Sequence, residues 1–308
     1  MPELPEVEYT ARQLRASIVG ATIQEMHVFW ERTIGYPDWH DFCAEIVDRS
    51  IEGVRRRGKL LLLDLSGDLF LSIHRRMSGN LLLLPPGWQI DTSLRETDHA
   101  AWQTRGPTFL PPTPTDIAYS RETSHCRVCF DLADGRRLLY TDPRKFGRME
   151  LWPRASEAEA LHGLGPEPLE DAFTSEHFAE ELAKRKTVIK QVLLDQSVVA
   201  GVGNIYADEA LFYAHIHPLR RANSLSASEI DALREGIVSV LALGIEHGGT
   251  SFSDYRDLAG KAGNNFDHVR VFQQDGKPCV RCGTLIERRV IAQRSTHFCP
   301  TCQLLIGE

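Results

Sequence analysis

Two stretches of the sequence carry residue types at spacings that can do chemistry. Near the C-terminus, Cys279 and Cys282 form one C-x2-C pair and Cys299 and Cys302 another, separated by 16 residues. Each pair supplies two thiolates from one tight turn, so two turns can close a tetrahedral four-sulfur site around zinc. Four protein ligands leave no open coordination position, so one structural Zn2+ without a chemical role is expected. The intervening Leu285–Ile291 segment is expected to form a hairpin displaying Arg288, Arg289 and Arg294. Such a ribbon buries little core, and the metal stands in for it. The second stretch is Met1-Pro2-Glu3-Leu4-Pro5-Glu6. A small second residue permits removal of Met1, which leaves Pro2 as a secondary amine. An α-amino group titrates at about 8, so a useful fraction is unprotonated at neutral pH. That amine can attack an aldehyde-like carbon and form an iminium. Glu3 and Glu6 are placed at the first turn of a helix, where negative charge is favoured. The same residues also suit a plain helix start, and composition alone does not separate the two readings.

The elements that must position these residues follow from periodicity. Val7, Ala11, Leu14 and Ile18 share one face of a helix spanning Leu4 to Ile18. Pro2 and Pro5 fit only its beginning. From Ile23 to Trp152 the period shortens, and Ile51–Val54, Leu60–Leu65, Leu69–Ile73, Leu81–Leu84, Val128–Leu132 and Leu138–Tyr140 read as strands. Ser66-Gly67-Asp68 and Ala133-Asp134-Gly135 read as hairpin turns. A proline-rich excursion at about residues 86–124 interrupts the pattern, with Trp88, Trp102 and Phe109 able to pin it. Beyond an acidic linker the pattern is helical. One helix holds Val188, Leu193 and Leu194, another runs from Asn204 to Tyr213, and a long one runs from Ser226 to Ile245 with Ser226 and Glu229 as a capping box. His247 is read as a cap, and Cys126 and Cys129 as small buried apolar residues.

The class is thus α+β and multidomain. An N-terminal β-sandwich with a leading helix fills residues 1–152, including the excursion. A linker covers 153–172, a helical domain 173–262, and a zinc ribbon with its preceding loop 263–308. The 42% hydrophobic content excludes a disordered chain. No apolar run reaches bilayer-spanning length, and no signal peptide is apparent. Seven cysteines, four of them in one late cluster, read as intracellular metal binding and not as a secreted disulfide framework. The net charge of −7 argues against nucleic acid only as an average. Eight carboxylates and no Lys or Arg lie between Glu157 and Glu181. Basic residues bunch at 55–59, 136–148 and 281–294, and could act as separate solvated surfaces or as one binding groove.

Several stretches resemble the formamidopyrimidine-DNA glycosylase family, which includes endonuclease VIII-type enzymes. They are Pro2-Glu3-Leu4-Pro5-Glu6-Val7-Glu8, Arg57-Gly58-Lys59, His74-Arg75-Arg76-Met77-Ser78-Gly79, Tyr140 to Gly147, Leu164 to Leu169, Gly201 to Ala207, and Gln293-Arg294-Ser295-Thr296 before the last cysteine pair. The resemblance implies a β-sandwich lobe, a helix–two-turn–helix module and a zinc ribbon. It also implies a monomeric, cytoplasmic, DNA-associated bacterial enzyme that binds double-stranded DNA containing oxidised or abasic sites, with no membrane partner. The damaged nucleotide is turned out of the stack, because its anomeric carbon is inaccessible within the duplex.

The roles implied by the resemblance attach to particular residues. Pro2 is the nucleophile at C1′ and Glu3 the carboxylate that moves protons, with Glu6 a second acid nearby. Lys59 meets a phosphate beside the lesion, and Asn204 and Arg294 grip the phosphates flanking the flipped nucleotide. A forked guanidinium suits such oxygens, and Asn204 at a helix N-terminus places outward amides toward an anion. Met77, Arg144 and Phe146 fill the vacated stack, with Arg144 facing the orphan base and Phe146 wedged beside it. Arg75 stands where the family usually has an apolar residue. The stretch Gly249 to Val271, with Ser251, Tyr255, Gly260, Lys261, Gly263 and Asn264, is similar to the base-capping loop of the oxidised-purine branch. The expected activity is therefore bifunctional: excision of 8-oxoguanine and formamidopyrimidines through a Pro2 Schiff base, then β,δ-elimination. Two alternatives stand beside it. One is an endonuclease VIII-like action on oxidised pyrimidines, abasic or single-stranded sites. The other is a non-catalytic protein that binds damaged DNA.

Overall fold

The computed structural model describes residues 2–91, 106–112, 123–251 and 255–305. Two compact units are present. The first comprises Met1–Pro2, Glu6–Leu161 and Thr250–Gly263; the second comprises Glu3–Pro5, His162–Gly249 and Asn264–Glu308.

In the first unit, helix α1 (Leu4–Ile18) leads into two sheets. The four-stranded sheet runs in the order β1 (Ile23–Val28), β9 (Cys126–Leu132), β10 (Arg137–Thr141), β6 (Asn80–Leu84). The five-stranded sheet has the order β2 (Ile34–Tyr36), β11 (Arg148–Pro153), β5 (Leu69–His74), β4 (Leu60–Leu65), β3 (Ile51–Arg57). Alternation decides the faces. Leu61, Leu63 and Leu65 of β4 share one core with Val128, Phe130 and Leu132 of β9, and with Val7, Ala11, Leu14 and Ile18 of α1.

The other face of the four-stranded sheet is also covered. Leu82, Leu84, Cys129 and Leu139 pack with Trp88, which precedes β7 (Gln89–Ile90), and with Phe109 of β8 (Phe109–Leu110), the strand paired with it. The described part of the excursion therefore covers a sheet face, which explains why Leu81–Leu84 reads as continuously apolar. Trp102, expected to help pin it, lies outside the described residues. Helix α2 (Trp39–Ile46), capped by the Asp38 carboxylate, falls inside the stretch read as β. A further short helix, α3 (Glu157–Ala160), follows β11.

The second unit is helical apart from its ribbon. Helix α4 (Ser175–Ala183) is capped by Thr174. Helix α5 (Ile189–Leu194) begins one residue later than expected, with Val188 as its N-cap. Two turns then lead to α6 (Asn204–Tyr213). Asp195 and Gln196 hold these turns: Asp195 accepts from the Ser197 amide at 2.9 Å, and Gln196 bonds both the Gly201 amide and the Val202 carbonyl at 2.9 Å. Helix α7 (Ala227–Glu246) carries the expected Ser226–Glu229 capping box, and His247 is its C-cap. The ribbon hairpin is β12 (Glu287–Ile291) with β13 (Arg294–Phe298), so its turn lies later than the Leu285–Ile291 reading placed it.

Candidate active site and zinc centre

In the first unit, two loops cross from one sheet to the other. Residues 75–79 join β5 to β6 and carry Met77; residues 142–147 join β10 to β11 and carry Arg144 and Phe146. One buried carboxylate ties them together. Asp142 accepts from the Ser78 hydroxyl at 2.5 Å, the Arg144 amide at 3.1 Å and the Gly147 amide at 2.8 Å. Phe146 is 52% exposed, an unusual position for a phenylalanine, and the Arg144 guanidinium lies 5.5 Å from its ring centroid. Met77 is half-buried, so it is not a core methionine. Sequence reasoning gave Asp142 no role, although it lies inside the Tyr140–Gly147 stretch that carried the resemblance.

Lys59 occupies the two-residue turn of the β3–β4 hairpin, where Arg57 pairs with Leu60. Gly58 takes φ 55 there, which glycine adopts without strain. Lys59 is 9% exposed. Its neighbour His74 is pushed down to about 4, first by burial and then by the Arg76 and Lys59 charges. His74 is therefore neutral at physiological pH, and its Nδ1 accepts from the Arg76 amide at 3.0 Å. Glu6 is buried in the first turn of α1, and its carboxylate accepts from the Thr250 amide at 2.7 Å. Pro2 is buried as well.

In the second unit, Glu3 does not decorate the first turn of its own helix. Its carboxylate accepts from the amides of Ile205 at 3.0 Å and Tyr206 at 3.4 Å, at the N-terminus of α6. The anion expected beside Asn204 is thus, within the protein, a glutamate. A Cβ at residue 203 would overlap that carboxylate, so glycine is required there. The Asn204 amide donates to the Ser295 carbonyl at 2.8 Å, which leaves its second N–H for an anion. An open cavity of about 590 Å3 has Asn204, Arg288, Arg294 and Ser295 on its wall. Asn204 and Arg294 are therefore brought together.

Arg294 is exposed just after the β-hairpin turn Ala292-Gln293, whose residues take φ 49 and φ 60. Two non-glycine residues in the left-handed region are costly, and the surrounding contacts must hold them. Asp208 supplies such contacts. It accepts from buried Lys190 Nζ at 2.6 Å and from the His297 amide at 2.9 Å, which joins α5, α6 and β13. Glu209 accepts from the amides of Arg270, Val271 and Phe272, while burial pushes its carboxyl upward. Neither acid was singled out from the sequence, because the backbone amides they accept from lie more than sixty residues away.

The four cysteines converge. Cys279 and Cys302 sulfurs are 3.9 Å apart and those of Cys282 and Cys299 3.5 Å. A tetrahedron with zinc–sulfur bonds of about 2.3 Å has edges of about 3.8 Å, whereas a disulfide would require about 2.05 Å. The Arg281 and Cys302 amides point at Cys279 and Cys299 Sγ at 3.4 Å, as donors to thiolates do. The residues fit one structural zinc.

The basic clusters divide unevenly. Arg55 pairs with Asp64 and Glu157, Arg56 with Glu8, Arg136 with Asp134, and Arg137 with Asp131. These cations are already answered by carboxylates, so the clusters are not uniform phosphate surfaces.

Three family profiles match the chain. They are the formamidopyrimidine-DNA glycosylase N-terminal domain over residues 1–149, the H2TH domain of the same enzymes over 164–256, and the zinc finger found in FPG and IleRS over 276–304. A formamidopyrimidine-DNA glycosylase of Herpetosiphon aurantiacus is 44% identical, covering 98% of this chain and 100% of that one. One from Roseiflexus is 41% identical over 98% and 100%. Among solved structures, a Lactococcus lactis FPG mutant in complex with Fapy-dG containing DNA superposes with a TM-score of 0.83 at 33% identity, covering 98% of this chain and 100% of that chain. A MutM complex with carbocyclic 8-oxo-G containing DNA gives 0.82 at 33%, covering 98% and 100%. The three profiles fall on the sandwich, the helical module and the cysteine ribbon, and the identity extends over nearly the whole chain: the chain belongs to the formamidopyrimidine-DNA glycosylase family.

Proposed function

We infer that this protein is a DNA glycosylase and abasic-site lyase that removes 8-oxoguanine and formamidopyrimidines from double-stranded DNA. The observation that carries this reading is similarity over essentially the full chain to enzymes of that name, at 44% identity over 98% of the residues. A cytoplasmic, DNA-associated location fits it, as do bacterial relatives, and no described helix is long and apolar enough to cross a membrane.

The residues then take the following parts. With Met1 removed, the Pro2 nitrogen attacks C1′ of the extruded nucleotide and the base leaves. The iminium that forms acidifies the adjacent C2′ proton, and successive β- and δ-eliminations open the strand. Glu3 serves the proton transfers, and its anchorage on the α6 amides supports that part because it fixes the carboxylate without spending a side chain. Asn204 and Arg294 hold the flanking phosphates, and Lys59 another. Met77, Arg144 and Phe146 occupy the emptied stack, a part for which an exposed phenylalanine is suited. Glu6 fixes the turn that follows Pro2. The zinc holds the ribbon and takes no step. The direct test is single-turnover cleavage of duplexes bearing 8-oxoguanine, formamidopyrimidine, an oxidised pyrimidine or no lesion. Preference for the first two supports the reading; preference for the pyrimidine, or binding without cleavage, overturns it.

A further inference from the structure

Arg75 is 1% exposed, and it is among the largest fully buried side chains of the described residues. Its Nε donates to the Gly79 carbonyl at 2.9 Å, closing the 75–79 loop on itself. One terminal nitrogen donates to Thr10 Oγ1 at 2.9 Å and reaches the Glu6 carbonyl at 3.5 Å. The other donates to Asn80 Oδ1 at 2.9 Å, which also accepts from the Arg256 amide at 3.0 Å. The guanidinium carbon lies 5.2 Å from the Tyr255 ring centroid, and the Tyr255 hydroxyl approaches the same Glu6 carbonyl at 3.5 Å. One planar fork thus joins the loop that carries Met77, the helix turn that follows Pro2, and the start of the 255–263 segment.

Stability does not account for this choice. Burying a guanidinium whose hydrogen bonds all go to neutral oxygens costs more than burying a leucine of similar reach. A fork with directional donors does what a leucine cannot: it fixes three backbone segments in one register.

We propose that Arg75 is a positioning residue that couples insertion of Met77 into the DNA stack to the placement of the Pro2 turn. The proposal rests on the stack-filling reading of Met77. It predicts that Arg75 matters when a base must be extruded and matters little when no base remains. Arg75→Leu is compared with wild type on two duplexes, one with 8-oxoguanine and one with a preformed abasic site. Single-turnover excision should fall by about 10- to 100-fold, the scale of a small misplacement, while borohydride trapping on the abasic duplex stays within about threefold. Arg75→Lys, which keeps the charge and loses the fork, should behave like Arg75→Leu. Equal losses on both duplexes overturn the coupling, because a general structural defect cannot distinguish them. Unchanged excision overturns it as well. Should Arg75→Leu fail to unfold cooperatively, Asn80→Ala removes one arm of the fork and must show the same selective loss, or the proposal falls. Wild type that neither excises nor traps would overturn the glycosylase reading itself, which separates that failure from this one.

Discussion

The loops of the first unit and the ribbon of the second present similar cargo, exposed side chains on short connections, yet they are held by different physics. Asp142 and the donors it gathers sit on a sandwich whose core runs through both sheets and α1. The ribbon rests on a small cluster of Phe212, Val271 and Ile286, completed by Cys279 and Cys299, which are zinc ligands. A large core can carry a polar cross-link as an addition, whereas a small one needs the metal as part of its core.

Removing the metal attacks the weaker support and should have the largest effect. A structural zinc contributes on the order of 10 kcal/mol to the fold around it. Cys282→Ser should abolish stoichiometric zinc and weaken lesion-DNA binding by at least about 100-fold through Arg294. The first unit should keep its unfolding transition by calorimetry. Loss of both transitions together would erase the contrast.

Asp142→Ala attacks the other support. It leaves the buried Ser78 hydroxyl and the buried Gly147 amide without their acceptor, a cost of roughly 3 kcal/mol. Urea unfolding of the first unit should report that loss, and excision should drop while zinc content stays at one per chain. A stability change below about 0.5 kcal/mol would show that solvent or a rearranged loop replaces the carboxylate.

The pairing of basic residues sharpens the comparison further. Arg294→Gln and Lys59→Gln should each lower the slope of log affinity against log salt by about 1, the signature of one lost phosphate contact. Arg55→Gln and Arg56→Gln should leave it unchanged, because Asp64, Glu157 and Glu8 already hold those cations. Equal slopes for all four variants would restore the view of each basic cluster as a phosphate surface.

The smallest effect concerns pH. The folded His74 titrates at about 4 against an ordinary 6.5, so between those values the unfolded chain binds the extra proton. Stability contributed by keeping His74 neutral is complete above pH 6.5 and is lost as the pH falls toward 4, by at most about 3 kcal/mol. His74→Asn, which can still accept from the Arg76 amide, should flatten that part of the acid-stability curve. A curve of unchanged steepness would place the acid sensitivity elsewhere.

Much of this was legible in the sequence where the signal is local. The stripe Val7, Ala11, Leu14, Ile18 marks α1, the apolar run Leu60–Leu65 marks β4, and Ser226 with Glu229 marks the start of α7. The cysteine spacing gives the zinc site for the same reason: each pair closes within one turn. Helix α2 escaped because its eight residues lie among strands and bury only Phe42 and Ile46. The partners of Glu3 escaped because the contact spans about two hundred residues of sequence, and no periodicity reports that. The covering role of the excursion was only half visible. Trp88 and Phe109 could be seen to need burial, but not that the outer face of β6, β9 and β10 would receive them. Arg75 was noticed as out of place, and its four acceptors become intelligible only when α1, β6 and Tyr255 are brought around it.

On the proposed function, the Pro2 amine forms a covalent link with damaged DNA. Borohydride reduction during turnover of an 8-oxoguanine duplex, followed by proteolysis and mass spectrometry of the crosslinked peptide, tests it directly. One adduct per chain is expected, on an N-terminal peptide beginning at Pro2, with Met1 absent. A DNA adduct carried by Lys59 or another lysine, or full excision without any trapped species, would contradict it.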